Sequence, residues 1–424
     1  MEIIKTALFL LIFSFFLPIN SYADETLQSR IDHASKGEII EIEEGIYEES
    51  LTLKKSIKLI GKGDVVIRSC EEKPVIRIGG MNNTLENIKV EHCSDVEKTT
   101  AIYVTGSRHM LQDIQIDAEQ FGIKLDKANH ITIKDSYVLG HRKGNGIDLW
   151  ESTSNTIQNM NISRFLDGIY MEQSNRNLLR ENTLTSSRYG MHLMYANDNI
   201  LQKNSSRENL TGTMLMEAKR TSVLDNDFSL NLDNVNAQGL LMYYVTDSKI
   251  IGNHMTENRV GIYMEDSHNN TMKSNKLTNN YIGVQFKRSI DNQITLNTFA
   301  GNVNEAQAIE SSKNTFIKNY WEASAKIDTS GKGISAVPFT ADPYFLTLTE
   351  DLPEYQLFFQ APGLSLLQKM LKSSKNQLLL DSSPLMKPSV EIVKDDSSGL
   401  ILWAISIVML CVSLLLFVFG RKRI

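Results

Sequence analysis

One histidine and three methionines stand apart by their spacing. His192 and Met194 are two residues apart, Met214 and Met216 are two apart, and the pairs lie 22 residues from each other. On two neighbouring β-strands such positions put all four side chains on one face, in a patch of roughly 5 by 7 Å. An imidazole among thioethers suits a soft monovalent ion such as Cu(I), held transiently because every ligand is neutral. The same four residues also read as an apolar patch that docks another protein, with methionine giving it an adaptable surface. Both readings stand at this level.

Carboxylates offer a different chemistry. Asp148, Glu172, Glu265 and Asp266 recur at related positions. A polysaccharide hydrolase or lyase needs paired acids, or an acidic calcium site beside a base. Asp148 and Glu172 are the pair close enough to serve, and solvated surface charge is the competing reading. Cys70 and Cys93 are 23 residues apart. On adjacent coils their Cα atoms fall about 5 Å apart, within disulfide range. Two free thiols, or a second copper site with His92, are the rivals.

What must position these residues is a repeat. A glycine followed by alternating apolar residues occurs at Gly122, Gly146, Gly168, Gly190, Gly212, Gly239, Gly261 and Gly283, at intervals of 24, 22, 22, 22, 27, 22 and 22. Asn182, Asn204, Asn226, Asn253, Asn275 and Asn297 follow with intervals of 22, 22, 27, 22 and 22. Two independent series share one five-residue insertion, which marks a structural repeat. A 22-residue unit holding two or three short strands has no room for a ten-residue helix, and leucine-rich spacing is absent. The expected fold is all-β, a right-handed parallel β-helix with stacked coils about 4.8 Å apart. Residues one and three after each glycine should face inward, and the second outward. Glycine is expected to allow positive φ and close approach of coils, and asparagine to take left-handed turns and stack its amides.

The repeat needs caps and has distinct ends. Leu27, Ile31 and Ala34 at helical spacing suggest a capping helix. Residues 1–23 read as a signal peptide, with Lys5, an apolar run at 7–17 and small residues before position 24. Residues 24–340 are assigned to the β-helix and 341–399 to a Leu/Pro-rich tail, partly helical, and linker. Residues 400–419 carry no charge, which is enough to span a hydrocarbon core of ~30 Å as a helix. The basic end at 420–424 belongs in the cytoplasm. The expected location is thus the cell membrane, single-pass, with the β-helix on the extracytoplasmic side. A formal net charge of −6 disfavours nucleic-acid binding. Hydrophobic residues at 42% exclude wholesale disorder, and three cysteines are too few for a disulfide-built scaffold.

The chain resembles the NosD family of β-helical maturation proteins for nitrous oxide reductase. The resemblance rests on Gly146-Ile147-Asp148-Leu149-Trp150, on Arg188-Tyr189-Gly190-Met191-His192-Leu193-Met194-Tyr195, and on Asn319-Tyr320-Trp321 before Pro338-Phe339. Its most specific part is the tail, Pro353-Glu354-Tyr355 through Asp381-Ser382-Ser383-Pro384-Leu385-Met386. The resemblance implies a non-enzymatic assembly factor for the reductase's copper–sulfide centre. Its implied partners are an ABC transporter (membrane and ATPase subunits), a copper chaperone and nitrous oxide reductase; the membrane contact through the chain's own C-terminal helix is a departure from the family and is read from residues 400–419 alone. The loop from Glu322 to Gly333 has fewer acids than the family leads one to expect, which weighs against calcium there. The alternative is a cell-surface β-helix that binds or processes polysaccharide.

Overall fold

The computed structural model describes residues 26–234, 236–341, 379–389 and 407–410. The signal segment, the Leu-rich stretch around residues 364–371, most of 400–419 and the basic end lie outside the described residues. Residues 407–410 are helical, and no described helix is long and apolar enough to cross a membrane.

The chain winds into an all-β solenoid of the right-handed type, with coils of about 22 residues. A regular coil gives one six-residue strand and two three-residue strands, such as Tyr189–Met194, Ile200–Gln202 and Ser205–Arg207. The six-residue strands belong to a twelve-stranded parallel sheet running from Leu51–Leu53 to Asn304–Ile309. The others build a 24-stranded sheet. Strand alternation sends Ile169, Met171, Met191, Leu193, Leu240 and Met242 into a core where each is fully buried. The 27-residue coil keeps this register, because its extra residues fall between Ser229 and Gln238.

Helix α1 (Leu27–His33) closes the N-terminal end, burying Leu27 and Ile31, with Ala34 buried just beyond it. Thr26 caps it by accepting from the Ser29 amide, and Glu49 accepts from the Leu27 and Gln28 amides. Cys70 and Cys93 form a disulfide between adjacent coils, with Cα atoms 4.6 Å apart, so these thiols are not copper ligands beside His92.

Two sequence expectations about backbone geometry need correction. None of the eight repeat glycines has a left-handed φ. Each is required by its neighbour: a Cβ at Gly212 would lie 2.5 Å from the Gly239 carbonyl oxygen. Where stacking ends, the requirement ends, and Glu305 takes the glycine's place in the last coil of the sheet. The asparagines are not left-handed either. The residue just before each carries the positive φ, as at Glu181, Lys203 and Asp225, which leaves the asparagine side chain turned inward.

Those side chains form ladders. Asn182 donates its backbone N–H (3.1 Å) and Nδ2 (2.9 Å) to Oδ1 of Asn204, and Nδ2 also to the Ile157 carbonyl (3.0 Å). The pattern repeats through Asn226, Asn253, Asn275 and Asn297 to Asn319. At the end an aspartate replaces the next asparagine. Asp381 Oδ2 accepts from Asn319 N (3.0 Å), Asn319 Nδ2 (3.1 Å) and Trp321 Nε1 (3.0 Å). Asp381 lies on the strand Leu379–Asp381, which pairs antiparallel with Phe339–Ala341. Part of the tail therefore returns to close the solenoid, with Trp321 stacked between Phe299 and Phe339.

Replacing Asp381 with alanine leaves three buried donors without an acceptor, each costing about 1–3 kcal/mol. Asp381→Ala should lose several kcal/mol in denaturant unfolding, about 3 or more, while Asp381→Asn, which keeps an acceptor oxygen, should lose under about 1.5. Glu305 gives a second test. It is buried, and burial pushes its carboxyl from the usual 4.5 up to about 7, against hydrogen bonds from Asn302 and Ala323. The native state then holds a proton that the unfolded state has released. Stability should therefore fall as pH rises from about 4.5 through about 7, by on the order of 3 kcal/mol. Glu305→Gln should remove most of that difference when unfolding is compared at pH 5 and pH 8.

Candidate metal centre

The strand Tyr189–Met194 pairs in parallel with Thr211–Met216. Register sets His192 beside Met214 and Met194 beside Met216. The sequence-chosen four therefore share two adjacent coils of the twelve-stranded sheet, all at positions that alternate away from the core. Met194, Met214 and Met216 are half-buried.

His192 differs from the expectation of an open site, for it is 9% exposed. Neighbouring outward side chains cover it: Tyr170 and Tyr189 meet its ring edge-on, at centroid distances of 5.1 and 4.9 Å. Its Nδ1 lies 2.8 Å from Asp167 Oδ2. Its Nε2 is buried with no hydrogen-bond partner. Buried polar atoms are normally satisfied, so an unpartnered imidazole nitrogen on a residue in register with Met214 is open to a water or an ion. A Cu(I) ion fits the donor set: one nitrogen lone pair, nearby thioethers and no thiolate.

The surroundings are polar. Tyr170 donates its hydroxyl to Glu172 (2.7 Å), and the same oxygen is 3.6 Å from Met194 Sδ. Burial and the Glu172 carboxylate push the Tyr170 phenol well above its usual range. Arg188 donates to Asp167 Oδ1 from Nε (3.1 Å) and Nη2 (2.8 Å) and stacks over Tyr189 at 4.7 Å. Sequence spacing alone missed Asp167, Tyr170, Arg188 and Tyr189 as a group. A signal existed, since Asp167 and Tyr189 each precede a repeat glycine and so fall in one column along the solenoid.

The carboxylates do not gather into one acidic site. Asp148 sits beside Tyr170 in register, and Glu172 beside Trp150. Asp148 is 5% exposed, takes a 2.8 Å hydrogen bond from Asn145 and lies 4.0 Å from Lys124. Glu265 and Asp266 are ion-paired with Arg288. Asp328 is capped by the amides of Ser330, Gly331 and Gly333, so its loop is held by the carboxylate itself. Among the described residues, no group of three or more His, Cys, Asp or Glu is arranged to hold an ion.

Comparisons with known proteins follow this geometry. A family model described as periplasmic copper-binding protein (NosD) matches residues 36–187 and 129–342. No curated protein matches the sequence. Among solved structures, the A-module of Azotobacter vinelandii mannuronan C-5 epimerase AlgE4 is similar, with a TM-score of 0.55 and 15% identity, covering 69% of this chain and 89% of that one. The A-module of A. vinelandii AlgE6 gives a TM-score of 0.50 at 14% identity, covering 68% and 94%. At such identities the likeness is one of fold.

Asp148 yields a prediction with a definite sign. Burial holds its carboxyl above the usual carboxylate range, against the pull of Lys124 and the Asn145 hydrogen bond. The native chain therefore keeps this proton to higher pH than the unfolded chain, and stability is lost as pH rises through the native value. Asp148→Asn should gain stability relative to wild type as pH rises from about 4 to 8, as read by urea midpoints.

Proposed function

Since this chain belongs to the NosD family of periplasmic copper-binding proteins, we propose that it is an extracytoplasmic assembly factor that accepts Cu(I) at His192, Met194, Met214 and Met216 and passes it on. In this reading it supports maturation of the copper–sulfide centre of nitrous oxide reductase and performs no catalysis. A copper chaperone supplies the ion, and an ABC transporter works alongside. Residues 1–23 direct export, and residues 400–419 tether the β-helix to the outer side of the cell membrane.

The observation that carries the reading is the buried, unpartnered Nε2 of His192 on a coil whose cross-strand neighbour brings two methionines. Thioethers with one imidazole favour Cu(I) over Zn(II) or Cu(II). Neutral ligands, the three methionines only half-buried, also suit a site that must release its ion, unlike a thiolate cage that holds it.

One observation favours a second reading, a β-helix that binds or processes polysaccharide. An imidazole backed by a carboxylate, with its outer nitrogen free, is also the arrangement of a general base. The raised Tyr170 phenol weighs against that tyrosine as a base at neutral pH.

Anaerobic competition between the full chain in mild detergent and a Cu(I) chelator tests the first reading. Wild type should take Cu(I), and Met214→Leu with Met216→Leu should bind at least about tenfold more weakly with an unchanged melting curve. Equal binding by the double mutant would dismiss the thioether site. Absence of copper binding, together with depolymerisation of an anionic glycan that His192→Ala abolishes, would favour the second reading.

A further inference from the structure

Two columns along the twelve-stranded sheet each supply one side chain that meets the other. The residues preceding the repeat glycines are Phe121, Asn145, Asp167, Tyr189, Thr211, Gln238, Val260 and Ile282. Asp167 is the carboxylate in that column. The residues two after each glycine include a histidine at His192, one coil further on. Stacking brings these two together at 2.8 Å, although they are 25 residues apart in sequence.

We propose that Asp167 is a positioning residue that makes His192 a metal donor, by holding the imidazole as the Nδ1–H tautomer and leaving the Nε2 lone pair for Cu(I). This inference rests on the copper reading above. Asp167 is 1% exposed, and both its oxygens are engaged, Oδ2 by His192 and Oδ1 by Arg188. A carboxylate gripped on both sides has no freedom to turn away. Its oxygens accept hydrogen bonds, so the ring nitrogen facing it carries the proton. The reverse tautomer would set a nitrogen lone pair against the carboxylate and bury an Nε2–H with no acceptor. Tyr170 and Tyr189 pack against the ring in T-shaped contacts and hinder its flipping.

The assignment explains why the site tolerates an unsatisfied nitrogen. Asp167 fixes the ring's orientation and tautomer, the part that carboxylates play behind metal-bound histidines. It touches no metal itself. Arg188 secures the carboxylate from outside and is half-exposed on the solvent side.

The test uses the full chain labelled with 15N-histidine, without metal and with Cu(I) added anaerobically against a chelator. In the metal-free wild type, the His192 nitrogen shifts should report Nδ1 protonated and Nε2 unprotonated. Added Cu(I) should move the Nε2 resonance. Asp167→Ala should mix the tautomers and weaken Cu(I) binding about 10- to 100-fold. Asp167→Asn, whose amide oxygen can still accept from Nδ1–H, should keep the tautomer and bind within a few-fold of wild type. An Asp167→Ala chain that keeps the wild-type tautomer, or binds Cu(I) as tightly as wild type, overturns this inference and leaves the copper site standing. Should that variant fail to fold, the wild-type spectrum decides: an unprotonated Nδ1, or a Cu(I)-induced shift at Nδ1, overturns it. A wild type that binds no Cu(I) overturns the copper reading and this inference with it.

Discussion

Each coil lies directly above the last because buried amides demand it. An asparagine side chain at the inner turn receives the N–H groups of the coil before it and passes its own to the coil after. Net gains from single hydrogen bonds are about 1 kcal/mol, but leaving one of these donors unmade in the interior costs more. The ladder therefore acts as a register gauge, since a coil shifted by one residue would strand donors in the core and turn its apolar residues outward. Glycine obeys the same constraint from the other side, giving up its side chain where the next coil's carbonyl must pass.

A ladder of identical acceptors has to stop at its C-terminal end, and the solenoid has to stop at both of its ends. At the C-terminal end an acceptor with no donors of its own, Asp381, replaces the amide that would need a further coil. It also collects the indole N–H of Trp321, so polar closure and aromatic stacking meet at one residue. At the N-terminal end α1 covers the open core with Leu27 and Ile31. Both are ways of denying an exposed edge to further strands.

Strict stacking also shapes what the outer face can do. Side chains two or four residues after each glycine lie in straight columns, so chemistry is set by which types fall on consecutive coils. From Lys124 to Tyr170 the columns carry oxygen and nitrogen donors that satisfy one another. At His192 the character changes: its own coil carries Met194 and the next carries Met214 and Met216, thioethers in place of carboxylates. At that transition Asp167, hydrogen-bonded to both Arg188 and His192, adjoins the thioether coil. The same scaffold in the mannuronan epimerase modules shows that the fold leaves this choice open.

The sequence by itself determined the architecture, because a repeat writes its geometry many times over. Eight glycines and six asparagines share one insertion, and that was sufficient to fix the coil length, the inward positions and the pairing of His192 with Met214. It also marked Leu27, Ile31 and Ala34 as the cap. What it could not give was the reason for each residue. Glycine and asparagine were read through their freedom to adopt positive φ, whereas their roles come from contacts with the next coil, which local propensity does not encode. The Cys70–Cys93 bond was one of three readings until the coils set those Cα atoms 4.6 Å apart. Asp381 lies 62 residues from Asn319, and no periodicity reaches across that distance. The candidate site divides in the same way. The placing of its four side chains follows from strand alternation and the 22-residue spacing, which are local rules. The burial of His192, its hold on Asp167 and its free Nε2 arise where three successive coils crowd one another, and crowding is a property of the packed structure alone.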